Sequence, residues 1–348
     1  MTTALGGTVT AAPRVSRIWW FALGYFACYI PYSALTKAVS NGYVGTEAVV
    51  GPAILPMSVA ASVIGMICVL SIMRWWKYAH QIKLAGMSLP TPTRWTALSG
   101  VATSAIVITT TLSYTFEGIS IIFAMLLMRG GVLMLAPVVD GLGKRKVRPS
   151  AWGGSILSLV ALVVAFAEEG GYEITLVAAI NIGIYLAAYF LRLRLMSKLA
   201  KTGVREKDIR YFVEEQMIAT PLLMLSLAAM AIFGSSTFTD SLAAGFVDIW
   251  DSGAILWILL IGFFSQGTGL FGGLILLEPA ENAYCVPINR SSSILAGLLA
   301  TILLWLAFDA APPSVHQLVG ALIVIGAILV LSWPTLMAGR RRRKESTS

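Results

Sequence analysis

The sequence predicts an all-α integral membrane protein whose ten transmembrane helices form two inverted five-helix repeats. Three observations carry that prediction. Ten stretches are long and apolar enough to span a bilayer, basic residues gather in every second connection, and several charged residues recur 161 positions apart.

The 348 residues are 57% hydrophobic and 12% charged, with a mean hydropathy of +0.81, which excludes an ordinary soluble domain. The first five apolar stretches are 18–39, 48–73, 95–114, 118–139 and 151–167. The second five are 174–195, 217–233, 253–277, 283–308 and 316–335. A helix needs about 20 residues to cross the hydrocarbon core, so each is a candidate span.

Charge gives the orientation. Lys and Arg occur at Arg14 and Arg17, in 74–94, in 144–148, in 192–210 and from Arg340 to Lys344. The connections between them hold acids only: Glu47, Glu117, Glu168, Glu169, Glu173, Asp240, Asp248, Asp251 and Asp309. That alternation follows the positive-inside rule and puts both termini in the cytoplasm, in a bacterial cytoplasmic membrane. It also explains the net charge of +8 without nucleic acid. Three basic residues stand outside the clusters: Lys37, Arg129 and Arg290.

Along the chain, residues 1–17 read as a cytoplasmic tail with no cleavable leader. The first span contains Tyr29-Ile30-Pro31-Tyr32, where proline can kink a helix and free a carbonyl at membrane depth. Lys37, near its outer end, either snorkels to the interface or charges the mouth of a cavity. The segment 74–94 is basic and rich in tryptophan, with Trp75 and Trp76 inside it and Trp95 next to it, as suits the headgroup level. The fourth span reads GISIIFAMLLMRGGVLMLAPVV. Arg129 sits halfway along it, where a guanidinium costs about 2.5–3.5 kcal/mol unless it faces protein or water.

The basic run Lys144-Arg145-Lys146 reads as a topology determinant beside anionic headgroups. Trp152-Gly153-Gly154 opens the fifth span with small residues that permit close packing. Glu214-Glu215-Gln216 opens the seventh, where acids suit the helix macrodipole or carry a coupling proton. The eighth span holds a Gly-x-x-x-Gly pair at Gly269 and Gly273. The ninth begins with a polar, proline-containing run through Pro287, Asn289 and Arg290, which predicts a broken or late-starting helix. Cys28, Cys68 and Cys285 fall in or beside spans and read as packing residues, and neither histidine lies in a metal-ligand motif.

The duplication rests on charge. Glu117 precedes Arg129 by twelve residues, as Glu278 precedes Arg290, and both pairs, like Lys37 and Lys198, are offset by 161. Five spans is an odd number, so the second copy enters the membrane upside down. The units are then 18–167 and 168–337, with 338–348 a basic cytoplasmic tail.

Ten spans as five plus five, with both termini inside, resemble the drug/metabolite transporter superfamily, including its EamA-like and nucleotide-sugar or triose-phosphate branches. The local marks are Arg148-Pro149-Ser150-Ala151-Trp152-Gly153-Gly154 and Pro313-Ser314-Val315-His316-Gln317-Leu318-Val319-Gly320-Ala321, each closing a half. They are similar to that family's end-of-repeat signature, although the Glu common before it in EamA-like members is replaced by Lys144-Arg145 and Asp309-Ala310. The phosphate-carrying branches hold their anion with basic residues in the fourth and ninth helices, a placement that Arg129 and Arg290 resemble. Lys37 is similar to a basic residue late in the first helix.

These readings predict a secondary carrier working by alternating access on a small anion: a phosphorylated sugar, nucleotide-sugar or carboxylate. Arg129 leads the expected substrate site, with Arg290, Lys37, Tyr32 and Asn289, because an arginine fork binds phosphate or carboxylate bidentately and stays charged. The other reading of the two arginines is structural, each paired with Glu, Tyr or backbone carbonyls to pin the halves together. The alternatives are an EamA-like exporter of amino acids or neutral drugs and a flippase for a polyprenyl phosphate or other lipid. No catalytic constellation, metal spacing or phosphate loop appears, so neither an enzyme nor a cofactor is expected. The expected partners are the substrate and the lipid bilayer, with a homodimer allowed and no nucleic acid.

Overall fold

A computed structural model describes residues 15–45, 47–84, 87–112, 121–165, 176–310 and 312–345. Glu117 and the acids Glu168, Glu169 and Glu173 lie outside them. The first half contains α1 (Val15–Ser40), α2 (Gly51–Ile72), α3 (Arg94–Leu112), α4 (Ile121–Leu142) and α5 (Pro149–Ala165). The second contains α6 (Leu176–Leu199), α7 (Arg205–Phe233), α8 (Thr237–Val247), α9 (Ile255–Leu277), α10 (Asn282–Phe308) and α11 (Val315–Glu345). Six of these, α1, α2, α6, α7, α9 and α10, are long and apolar enough to cross a membrane. Large apolar side chains such as Trp20, Ile64, Leu225, Phe233 and Leu322 are exposed on the helices, a surface suited to lipid and unsuited to water.

Each of the ten apolar stretches carries a helix, with three departures. The first is α8, an eleven-residue helix closed at its start by a capping box between Ser236 and Thr239. The second is a β-hairpin of β1 (His80–Leu84) and β2 (Met87–Thr91), paired antiparallel with Ile82 opposite Leu89. The third is the start of α7 at Arg205. Glu214 and Glu215 therefore lie well inside a helix, and the macrodipole does not account for them.

The ninth apolar stretch is continuous too. Pro287 lies inside α10, and its missing N–H deprives the Ala283 carbonyl of a helical donor. Ser155 of α5 supplies one, its hydroxyl 3.1 Å from that oxygen. The helix survives its proline because a neighbouring helix completes it.

In the packing, α1 lies against α9 and α10, while α6 lies against α3 and α4. The pairs α2–α9 and α3–α7 also pack, as do α2–α7, α4–α10 and α5–α11. At the α2–α9 crossing a side chain on Gly262 would fall on the Ser58 backbone carbonyl, and Ser62 Oγ donates to the Gly262 carbonyl at 2.8 Å. Gly273 is similarly close to the Phe212 ring, whereas Gly269 has open space and lines a cavity. Only one glycine of that pair packs.

Candidate functional site between the two halves

A cavity of about 420 Å³ lies among α1, α2, α3, α6, α7, α9 and α10. It runs from Arg290 and Asn289 near the start of α10 to the exposed residue Gly51, where α2 begins. Its wall is rich in hydroxyl and amide groups, among them Ser58, Ser62, Thr103, Gln216, Thr268 and Asn289.

The fold treats the five expected site residues differently. Arg290, Asn289 and Tyr32 line the cavity. Arg129 is not on its wall but lies within electrostatic reach of Tyr25, Tyr29, Tyr185 and Arg290. Lys37 is exposed, and its ammonium donates to Thr301 Oγ1 at 3.1 Å. The fold thus places Lys37 away from the cavity wall and brings Arg290 forward in place of Arg129.

Arg290 is held by an aromatic. Its Nη2 donates to the Tyr189 phenol at 2.6 Å, and its guanidinium carbon is 5.2 Å from the centre of the same ring. Among the described residues its buried Nε has no acceptor. Among the described residues, neither Arg129 nor Arg290 has a carboxylate at ion-pair distance. Two cationic groups therefore share the interior, with Tyr25 and Tyr185 in the electrostatic range of both.

Sequence reasoning missed the tyrosines. Tyr25 and Tyr29 sit one helical turn apart on α1 with ring centres 5.5 Å apart, and Tyr185 and Tyr189 do the same on α6 at 4.9 Å. A signal was there to find: Tyr25-x-Ala27-x-Tyr29 recurs as Tyr185-x-Ala187-x-Tyr189, offset by 160.

A second arginine on the wall, Arg192, was hidden at the edge of a basic cluster. Its Nε and Nη2 each donate to a different oxygen of Glu215 at 2.9 Å. Ser99 and Thr103 donate to the same carboxylate. Arg192 is thus held bidentately by a carboxylate, which Arg290 is not among the described residues. Glu214 has another task, accepting the backbone N–H groups of His80 and Thr93 at 2.8 and 3.1 Å.

Away from the cavity, where α10 begins, the halves are tied by polar contacts. Asp140 accepts from the Asn282 amide and the Ala283 N–H, each at 2.8 Å, and so caps α10. Arg148 grips both oxygens of Glu281, and Arg17 lies 3.9 Å from Glu278. The run 144–148 therefore does more than face lipid.

No family model matches the chain, and no curated protein matches it. One solved structure, described only as "Crystal structure of protein", aligns over 93% of this chain and 98% of its own. The TM-score is 0.57 and the identity 15%. The likeness is one of fold.

Proposed function

We propose that the chain is a ten-span secondary carrier, built from two inverted five-helix halves, that moves a small organic anion held at Arg290 with Arg129 behind it. The observation that carries this reading is the pair of interior guanidiniums without a carboxylate among the described residues. Uncompensated charge at membrane depth is costly, and a bound anion would offset it. The Arg290 Nε, which has no acceptor among the described residues, would gain one if the anion reached it.

The packing supports the inverted halves. Match α1 through α5 with α6, α7, α9, α10 and α11, leaving out the short α8. Exchanging partners then turns α1–α9 into α6–α3, α1–α10 into α6–α4, and α2–α9 into α7–α3, all of which pack. The pairs α2–α7, α4–α10 and α5–α11 map onto themselves. The tyrosines follow the same exchange: Tyr25 and Tyr29 pair on α1 as Tyr185 and Tyr189 pair on α6.

With the basic connections inside, the cavity opens outward and the Asp140, Arg148 and Arg17 contacts close the cytoplasmic side. Rocking the halves would exchange the two. The hydroxyl and amide groups on the wall suit a hydroxylated anion such as a phosphorylated sugar. A resemblance to the drug/metabolite transporters fits this reading.

The test is a thermal-shift panel on purified protein with phosphorylated sugars, nucleotide-sugars, carboxylates and neutral amino acids, since a ligand stabilises the state that binds it. Stabilisation by anions, absent in Arg290→Ala, is the expected result. Stabilisation by neutral compounds alone would overturn the reading.

A further inference from the structure

The hairpin β1–β2 lies apart from the cavity, and among its described side chains His80, Gln81, Ile82, Lys83, Ser88 and Leu89 are exposed. Side chains alternate across a strand, and the register sets Ile82 opposite Leu89 and Lys83 opposite Ser88. One face therefore carries an apolar cross-strand pair, 42% and 38% exposed, while the other carries Gln81, Lys83 and Ser88. A lone two-stranded ribbon is marginal in water, and this one is fixed at its base by the Glu214 carboxylate.

Its surroundings point to one occupant. The segment 74–94 contains Arg74, Lys77, Lys83 and Arg94 and no acid. Ile72, Met73 and Trp95, at the ends of the flanking helices, are exposed as well. Lys77 and Arg94 each lie over the ring of the next residue, Tyr78 and Trp95, at 5.0 and 5.2 Å. Short links to α2 and α3 keep the ribbon where those two helices end. Apolar, aromatic and basic groups together at that level suit a bilayer surface bearing anionic lipid.

We propose that the hairpin is a lipid-binding surface seated on the cytoplasmic leaflet. Ile82 and Leu89 enter the headgroup layer, Arg74, Lys77 and Arg94 meet the phosphates of anionic lipids, and Gln81 and Lys83 face water. This rests on the membrane placement of α2 and α3 and is independent of the anion site.

The test uses the full chain with Cys28→Ser and Cys68→Ser, carrying a nitroxide at Ile82→Cys or, separately, at Gln81→Cys. The proteins are placed in nanodiscs of phosphatidylcholine with or without phosphatidylglycerol. At 82, collisions with oxygen should exceed those with a water-soluble nickel chelate several-fold; at 81 the order should reverse. The contrast should grow with phosphatidylglycerol. Equal aqueous access at both positions would overturn the proposal. So would a label at 82 shielded from both agents, which would mean a protein partner or a second copy covers the face. Immersion at 82 that ignores lipid charge would remove the anionic-lipid claim. Amide exchange over 80–91 in the unsubstituted chain, slowed by phosphatidylglycerol if the proposal holds and unchanged if it fails, checks the result without any variant.

Discussion

The Arg290 guanidinium both bonds and stacks on one residue, donating to the Tyr189 phenol at 2.6 Å while sitting 5.2 Å from the ring centre. The phenol fixes the fork, and the ring face adds a cation–π contact. Tyr189→Phe keeps the ring and removes the acceptor. A hydrogen bond to a charged group contributes roughly 1.5–3 kcal/mol to the folded state, so the melting temperature should fall, and affinity for the preferred anion should fall with it as the fork loses its anchor. Unchanged affinity in titrations of the purified variant would show that the phenol does not position the arginine.

The Arg192–Glu215 pair is expected to behave as structure. Arg192→Gln alone strands a buried carboxylate and should destabilise the protein by about 3–5 kcal/mol. Combining it with Glu215→Gln removes both charges and keeps partners for Ser99 and Thr103, so much of that loss should return. Melting curves of the two single variants and the double one check this. Strict additivity would mean the two side chains are not coupled.

Close approach at the α2–α9 crossing gives a third expectation. A methyl group on Gly262 would meet the Ser58 carbonyl, which is backbone and cannot rotate away. Overpacking of this kind costs about 1–3 kcal/mol. Gly262→Ala should lower the melting temperature, whereas Gly269→Ala, with open space around it, should not. Equal melting temperatures for the two would contradict the crossing.

Topology is tested by reporter fusions. A fusion after Lys146 should report the cytoplasm, and one within 235–252 the exterior. An external signal after Lys146 would break the ten-span reading.

Much of the fold was legible because apolar runs and basic connections act locally, residue by residue. What escaped depended on partners far away in sequence. The first turns of α7 look like a polar loop, yet Glu206, Lys207 and Arg210 are good helix formers and Ile209, Tyr211 and Phe212 are buried. Arg192 read as one more basic residue because its carboxylate is 23 positions on. The hairpin is two strands of five residues, too short for alternation to stand out. Of the cavity wall, Arg290, Asn289 and Tyr32 stood out in the sequence by charge and proline placement. The tyrosine pairs were passed over because aromatic residues in a span also suit an interface.

The central claim is that Arg290, with Arg129, binds the transported anion, and transport per folded molecule tests it most directly. Reconstituted Arg290→Ala should be folded and inactive, and Arg290→Lys only partly active, since an ammonium keeps the charge and loses the fork. Arg129→Ala should weaken transport less, because Arg129 does not line the cavity. Full specific activity in well-folded Arg290→Ala would contradict the account.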